Sequence, residues 1–236
     1  MSEEAKSLLK RLKKEKKTAK QIDLIQELKN HNQEEMVNHV LLVHLERKDH
    51  DSLRLEILNA LNYNFQIIVQ PLSHILNDPN ETLPIKEKAI TLLGHNRGKK
   101  ALKVLLKVFK KSKDSKIKDN IAQALTYFDD KSAIKIMIKS LDKDEYRLHV
   151  LTGLARNDFT VYGSKELIKA LASLKVNERF EKLHHEKIIE GIFDKFKLAT
   201  IEELQNAIKE NKLDKAIEAH RKEQVDIDVI LKKVEM

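Results

Sequence analysis

Four lysines, Lys103, Lys107, Lys110 and Lys111, recur within "ALKVLLKVFKKSKDSKIKDNIAQAL", residues 101–125. On a helix their spacing places all four ammonium groups on one face, opposite Leu102, Leu105 and Phe109. Such a stripe can steer and hold an anion, either an acidic protein surface or a phosphate backbone. The competing reading is solvated charge on the wet side of a packed helix.

A second set of cations stands in register along the chain: Arg54, Lys86, Lys118 and Arg147, with His185 in the same column, close to upstream acids such as Asp51, Asp78, Asp114 and Asp144. A cation one turn into a helix opposes the helix dipole unless it is paired or used. The column therefore reads either as ion pairs that tie neighbouring units together or as an inner basic row that binds anions. Phe159 and Tyr162, inside the segment "RNDFTVYGSK" (156–165), are candidate aromatic anchors for a partner, being expected near the surface. Tyr63 and Phe65 lie beside a turn, whereas Phe109, Tyr127, Phe128 and Phe193 fall on apolar stripes and are expected in the core.

The signals for metal or covalent chemistry are weak. There is no cysteine, which removes disulfides, thiolate ligands and a thiol nucleophile. His39, His44 and His50 are five and six residues apart and His184 and His185 are adjacent, so none forms the i, i+4 pair of an HExxH site. Glycine-rich phosphate loops and GxSxG elbows are absent from the sequence. The expectation is no metal, no cofactor, no catalytic residue and no enzymatic activity.

These side chains need a scaffold, and composition restricts its class. Only 5 Gly and 3 Pro occur in 236 residues, too few for the turns of an all-β sandwich, while helix-compatible Lys, Glu, Leu, Ile and Ala dominate. A hydrophobic content of 41% suffices for a core. The net charge of +8 is unevenly placed: residues 1–20 hold eight basic and three acidic side chains, residues 97–118 hold ten and one, and the remainder carries a net −6. This is an acidic body with two basic patches. The first twenty residues lack the apolar core of a signal peptide, and no run approaches the roughly 18 apolar residues of a membrane span. A soluble, cytoplasmic protein without membrane insertion is expected.

A repeat organises the chain. "IVQPLSHIL" (68–76), "ALKVLLKVF" (101–109), "AIKIMIKSL" (133–141) and "ELIKALASL" (166–174) superimpose at offsets of 32 or 33. Between them a second helix type recurs, in "LRLEILNAL" (53–61), "IKEKAITLL" (85–93), "IKDNIAQAL" (117–125), "RLHVLTGL" (147–154) and "HEKIIEGI" (185–192). Ile85, Ala89, Ile90 and Leu93 form its apolar stripe in one copy, and Ile117, Ile121, Ala122 and Leu125 in the next. Each unit is a helical hairpin that hides its apolar faces only by stacking on its neighbours.

The stretches "AITLLGHNRGKKALKVLLKVF" and "AQALTYFDDKSAIKIMIKSL" resemble HEAT-type repeats, in particular the short kind seen also in phycobilin-lyase-like proteins. The resemblance covers roughly residues 33–197 and is strongest from 85 to 156; it implies an all-α, right-handed α-α superhelix of about five hairpins with terminal capping helices. Three regions follow: a basic N-terminal segment and capping helix (1–32), the repeat array (33–197) and a C-terminal helical cap (198–236). A helix is expected over 18–30, and residues 1–17, dense in charge, are expected to project or fray.

In a HEAT-like array the second helices line the concave side, where Glu56, Lys88, Asn120, His149 and Lys187 align with mixed charge; the four-lysine stripe falls on the convex side. Mixed inner rows favour a protein or peptide over long nucleic acid. The leading expectation is a non-catalytic scaffold or adaptor binding a protein or peptide, with the basic patches steering an acidic partner. Two alternatives stay open: a nucleic-acid-binding protein related to the HEAT-like alkylpurine DNA glycosylases, whose Trp-rich lesion surface this Trp-free chain lacks, and a chromophore-lyase-like protein. The identity of the partner and the oligomeric state are not legible.

Overall fold

The computed structural model describes residues 1–46, 50–156 and 161–222, the side chain of Glu145 excepted. Among these residues the secondary structure is helical, without strands. The helices are α1 (Glu3–Lys14), α2 (Thr18–Leu28), α3 (Glu35–Leu45), α4 (Asp51–Ala60), α5 (Val69–Asn77), α6 (Leu83–Asn96), α7 (Lys99–Lys111), α8 (Ser115–Leu125), α9 (Lys131–Leu141), α10 (Asp144–Arg156), α11 (Lys165–Ser173), α12 (Arg179–Phe196) and α13 (Ile201–Lys209). Residues 214–222 are helical as well. The chain divides into two compact units, Met1–Ala124 and Leu125–Met236.

In the first unit, hairpins stack as the repeat pattern requires. The second helices α2, α4 and α6 pack in succession, α5 packs on both α6 and α7, and α1 packs on α2 and α3. The stripes Ile85, Ala89, Ile90 and Leu93 and Ile117, Ile121, Ala122 and Leu125 are all buried. At about 25 cal/mol per Å² of apolar area, burying such side chains is the main term that orders each hairpin.

Local signals set the boundaries. Pro84 stands in the first turn of α6, where its missing N–H goes unused. Arg97, whose φ of 54° is left-handed, is the C-cap of α6, and Gly98 is the N-cap of α7. Gly94 lies within the last turn of α6, and a Cβ there would stand 3.0 Å from Ala124 Cβ. The absence of that methyl lets α6 and α8 approach.

The N-terminus departs from expectation. Residues 3–14 do not fray: Ser2 Oγ accepts the Ala5 amide at 3.1 Å, and Ala5, Leu8 and Leu12 are buried at 0%, 3% and 1% exposure. The eight basic residues among the first twenty mask three apolar residues, but three at helical spacing suffice to dock one helix face.

In the second unit, α9 packs on α10 and α11, α10 on α12, and α11 on α12 and α13. Asp130 caps α9, accepting from the Ser132 amide at 2.8 Å, and Ser164 and Thr200 cap α11 and α13 in the same way. Lys165 bonds Asn211 and pairs with Asp214 at 2.8 Å, tying α11 to the turn before the last helical segment.

Candidate functional site

Helix α7 presents Lys103, Lys107, Lys110 and Lys111 to solvent while Ala101, Leu102, Leu105 and Val108 are buried beneath them. None of the four is in an ion pair among the described residues. Their charge is therefore not used in packing α7.

The cation column separates into unlike members. Arg54 is 4% exposed and its guanidinium grips Glu81 with two bonds, at 2.8 and 2.5 Å, while Nε donates to the Leu45 carbonyl at 3.2 Å. Asp51 stands 3.8 Å away. The bonds to Glu81 raise the guanidinium pKa above its ordinary value, against the opposing effect of burial. Arg147 repeats the arrangement in the second unit: it meets Asp144 at 2.7 Å, Glu181 at 3.4 Å and the Leu141 carbonyl at 2.7 Å. Glu81 stands in the turn just before α6 and Glu181 in the first turn of α12, so each arginine ties one hairpin to its successor.

Lys86 and Lys118 behave differently. Both are half-buried, and the Lys118 ammonium lies 5.9 Å from the Phe109 ring centroid. Neither forms an ion pair with Asp78 or Asp114 among the described residues; Asp114 instead accepts from the Ile117 amide at the start of α8. His185 bonds the Leu171 carbonyl at 2.8 Å. The two arginines of this column are thus committed to repeat-to-repeat ion pairs, one in each unit.

Of the aromatic candidates, Phe159 lies outside the described residues. Tyr162 is half-buried rather than exposed, with edge-to-face contacts to Phe196 and His220 at 6.4 and 5.6 Å between ring centroids. Its hydroxyl occupies the space beside Gly191, where a Cβ would come within 2.5 Å. Tyr63 is exposed and rests on His95 at 5.3 Å.

The first unit holds a small basic cluster around α6. Lys88 has its amine pKa lowered, first by burial and then by Lys29, with Glu56 acting against both. His95 is lowered by burial, Arg97 and Lys88. Beside them Asn120 donates to Glu87 at 3.1 Å, joining α8 to α6. Among the described residues, no group of three or more histidine or acidic side chains is placed to hold a metal ion. No helix among them is long and apolar enough to cross a membrane.

Comparison with known families adds an independent observation. Residues 69–155 match the model of HEAT repeats. That segment, α5 to α10, carries HEAT repeats. Comparison with curated proteins returned no match.

Sequence reasoning missed Glu81 and Glu181. Glu81 stands just before a second helix and Glu181 lies in the first turn of one, each a turn or so ahead of the column members Lys86 and His185, which is the signal that could have found them. It also missed a groove on α9, lined by Lys131, Lys135 and Lys139 with Glu166 and Arg221.

Proposed function

We propose that the chain is a non-catalytic scaffold that binds a protein or peptide partner, its lysine-rich faces steering an acidic surface. HEAT repeats generally mediate protein interactions or scaffolding, and here they span α5 to α10. The observation that carries the reading is the exposed set Lys103, Lys107, Lys110 and Lys111, unpaired among the described residues, on a helix whose other face is buried. Like charges at these three- and four-residue spacings repel, so the set lowers helix stability slightly and needs another use. An acidic partner supplies it, and its association would quicken at low ionic strength.

The density of cations in residues 97–118 also supports a second reading, nucleic-acid binding. The two separate in one experiment. Crosslinking with mass spectrometry on the wild type and on the Lys103→Glu, Lys107→Glu, Lys110→Glu, Lys111→Glu variant should identify a protein partner that the variant loses. Anisotropy with labelled duplex and single-stranded oligonucleotides, at about 50 and 200 mM salt, should show no binding. Steeply salt-dependent oligonucleotide binding without a protein partner would replace the scaffold reading.

A further inference from the structure

The second unit contains a groove of about 630 Å³ whose floor and walls differ in kind. Helix α9 supplies Lys131, Lys135 and Lys139, one turn apart and exposed, with Ile134 and Ile138 between them. Across the groove stand Glu166 of α11 and Arg221 of the 214–222 segment. Arg221 is engaged with Asp129 at 3.7 Å. None of the three lysines is in an ion pair among the described residues. The helix that carries them is held firmly, with Asp130 as its cap and Ala133, Ile134, Met137 and Leu141 buried in the core.

We propose that this groove docks an acidic amphipathic helix from a protein partner, its carboxylates facing Lys131, Lys135 and Lys139 and its apolar residues seated on Ile138, beneath which Ile134 is buried. The inference rests on the scaffold reading above and gives that partner a site and a chemistry. From Lys131 to Lys139 the groove runs about 12 Å, at 1.5 Å per residue, which matches two turns of a bound helix. Carboxylates at i, i+4 and i+8 of the partner repeat at the same interval as the lysines. The apolar strip between the charges favours a peptide that brings leucine-like side chains, the helix-in-groove mode of recognition. Glu166 on the far wall repels carboxylates there and so orients the acidic side of the ligand toward α9. A nucleic-acid strand fits less well, since Glu166 opposes its phosphates and no aromatic side chain lines the groove to stack a base.

The test is anisotropy on the full chain with three fluorescein-labelled probes. The first is a helical peptide of about 14 residues with leucine every third or fourth position and glutamate elsewhere, the second is its lysine-for-glutamate counterpart, and the third is a single-stranded RNA of about 12 nucleotides. The glutamate peptide should bind and the other two should not. The Lys131→Glu, Lys135→Glu, Lys139→Glu variant should weaken it about tenfold or more, and Ile138→Ser should weaken it at unchanged salt dependence. A Lys→Gln set at the same three positions, with circular dichroism on every variant, separates lost binding from lost folding. Absence of glutamate-peptide binding overturns the proposal, as does RNA binding that the triple variant abolishes. So does a concentration-dependent dimer, seen by sedimentation, that the triple variant dissolves. Peptide binding that survives the triple variant but is lost on reversing Lys103, Lys107, Lys110 and Lys111 overturns this site while leaving the scaffold reading standing.

Discussion

Arg54 and Glu81, 27 residues apart, meet in a two-pronged ion pair in which both side chains are almost wholly buried, at 4% and 3% exposure. Removing one partner of such a pair leaves an uncompensated buried charge, at a cost of about 3–5 kcal/mol. Arg54→Ala should therefore lower the urea midpoint of the first unit severely. The double change Arg54→Met, Glu81→Leu should recover much of the loss, because apolar side chains of similar length need no compensation. If the double variant proves as unstable as the single, the pair contributes through more than its own charge. Arg147→Ala should cost less, since its partner Asp144 is 92% exposed and its bond to Glu181 is longer, at 3.4 Å.

Gly94 fixes how closely α6 approaches α8. With Ala124 Cβ only 3.0 Å from an added Cβ, a branched side chain cannot enter without separating the helices. Gly94→Val should destabilise by about 1–3 kcal/mol. Gly94→Ala should fall much nearer the wild type, because the improved helix propensity, roughly 1 kcal/mol, offsets the tighter contact. Thermal melts of the two variants side by side check the ordering, and equal stability of Val and wild type would mean that the helices part easily.

The hairpins were legible because their information is local: the 32- and 33-residue offsets and the apolar stripes lie within single helices, and Ile85, Ile117 and their companions are buried as the periodicity requires. The partners of the arginines were not, because the pairing of Arg54 with Glu81 depends on which carboxylate the next hairpin brings near. The sequence column treats Arg54 and Lys118 alike, yet one is clamped and the other lies over Phe109, a difference set by what the following repeat offers: Glu81 in one case, no paired carboxylate among the described residues in the other. The α9 groove has the same origin. Lys131, Lys135 and Lys139 are visible as a period of four, but Glu166 and Arg221, about 30 and 85 residues further on, close the groove only through the fold.

Helix α1 belongs to the folded first unit, and Leu12 tests this. At 1% exposure, Leu12→Ala should cost about 2–5 kcal/mol through lost burial and the cavity left behind. Leu8→Ala should act in the same direction. Amide hydrogen exchange should show residues 5–14 protected in the wild type and exchanging faster in either variant. Protection indifferent to these truncations would mean that α1 folds without its contacts to α2 and α3.

His95 should make stability depend on pH near neutrality. Burial, Arg97 and Lys88 together hold its imidazole below the ordinary value of 6.5. The unfolded chain then takes up a proton at a pH where the folded chain resists it. The stability supplied by the neutral ring is complete above about pH 6.5 and is lost as pH falls from there through the lowered folded value. His95→Phe keeps an aromatic ring against Tyr63, 5.3 Å away, and removes the titration. Urea midpoints at about pH 7.5 and 5.5 should fall for the wild type and fall less for His95→Phe. A difference of the opposite sign would place a stabilised imidazolium at this position, contrary to the cationic surroundings formed by Arg97 and Lys88.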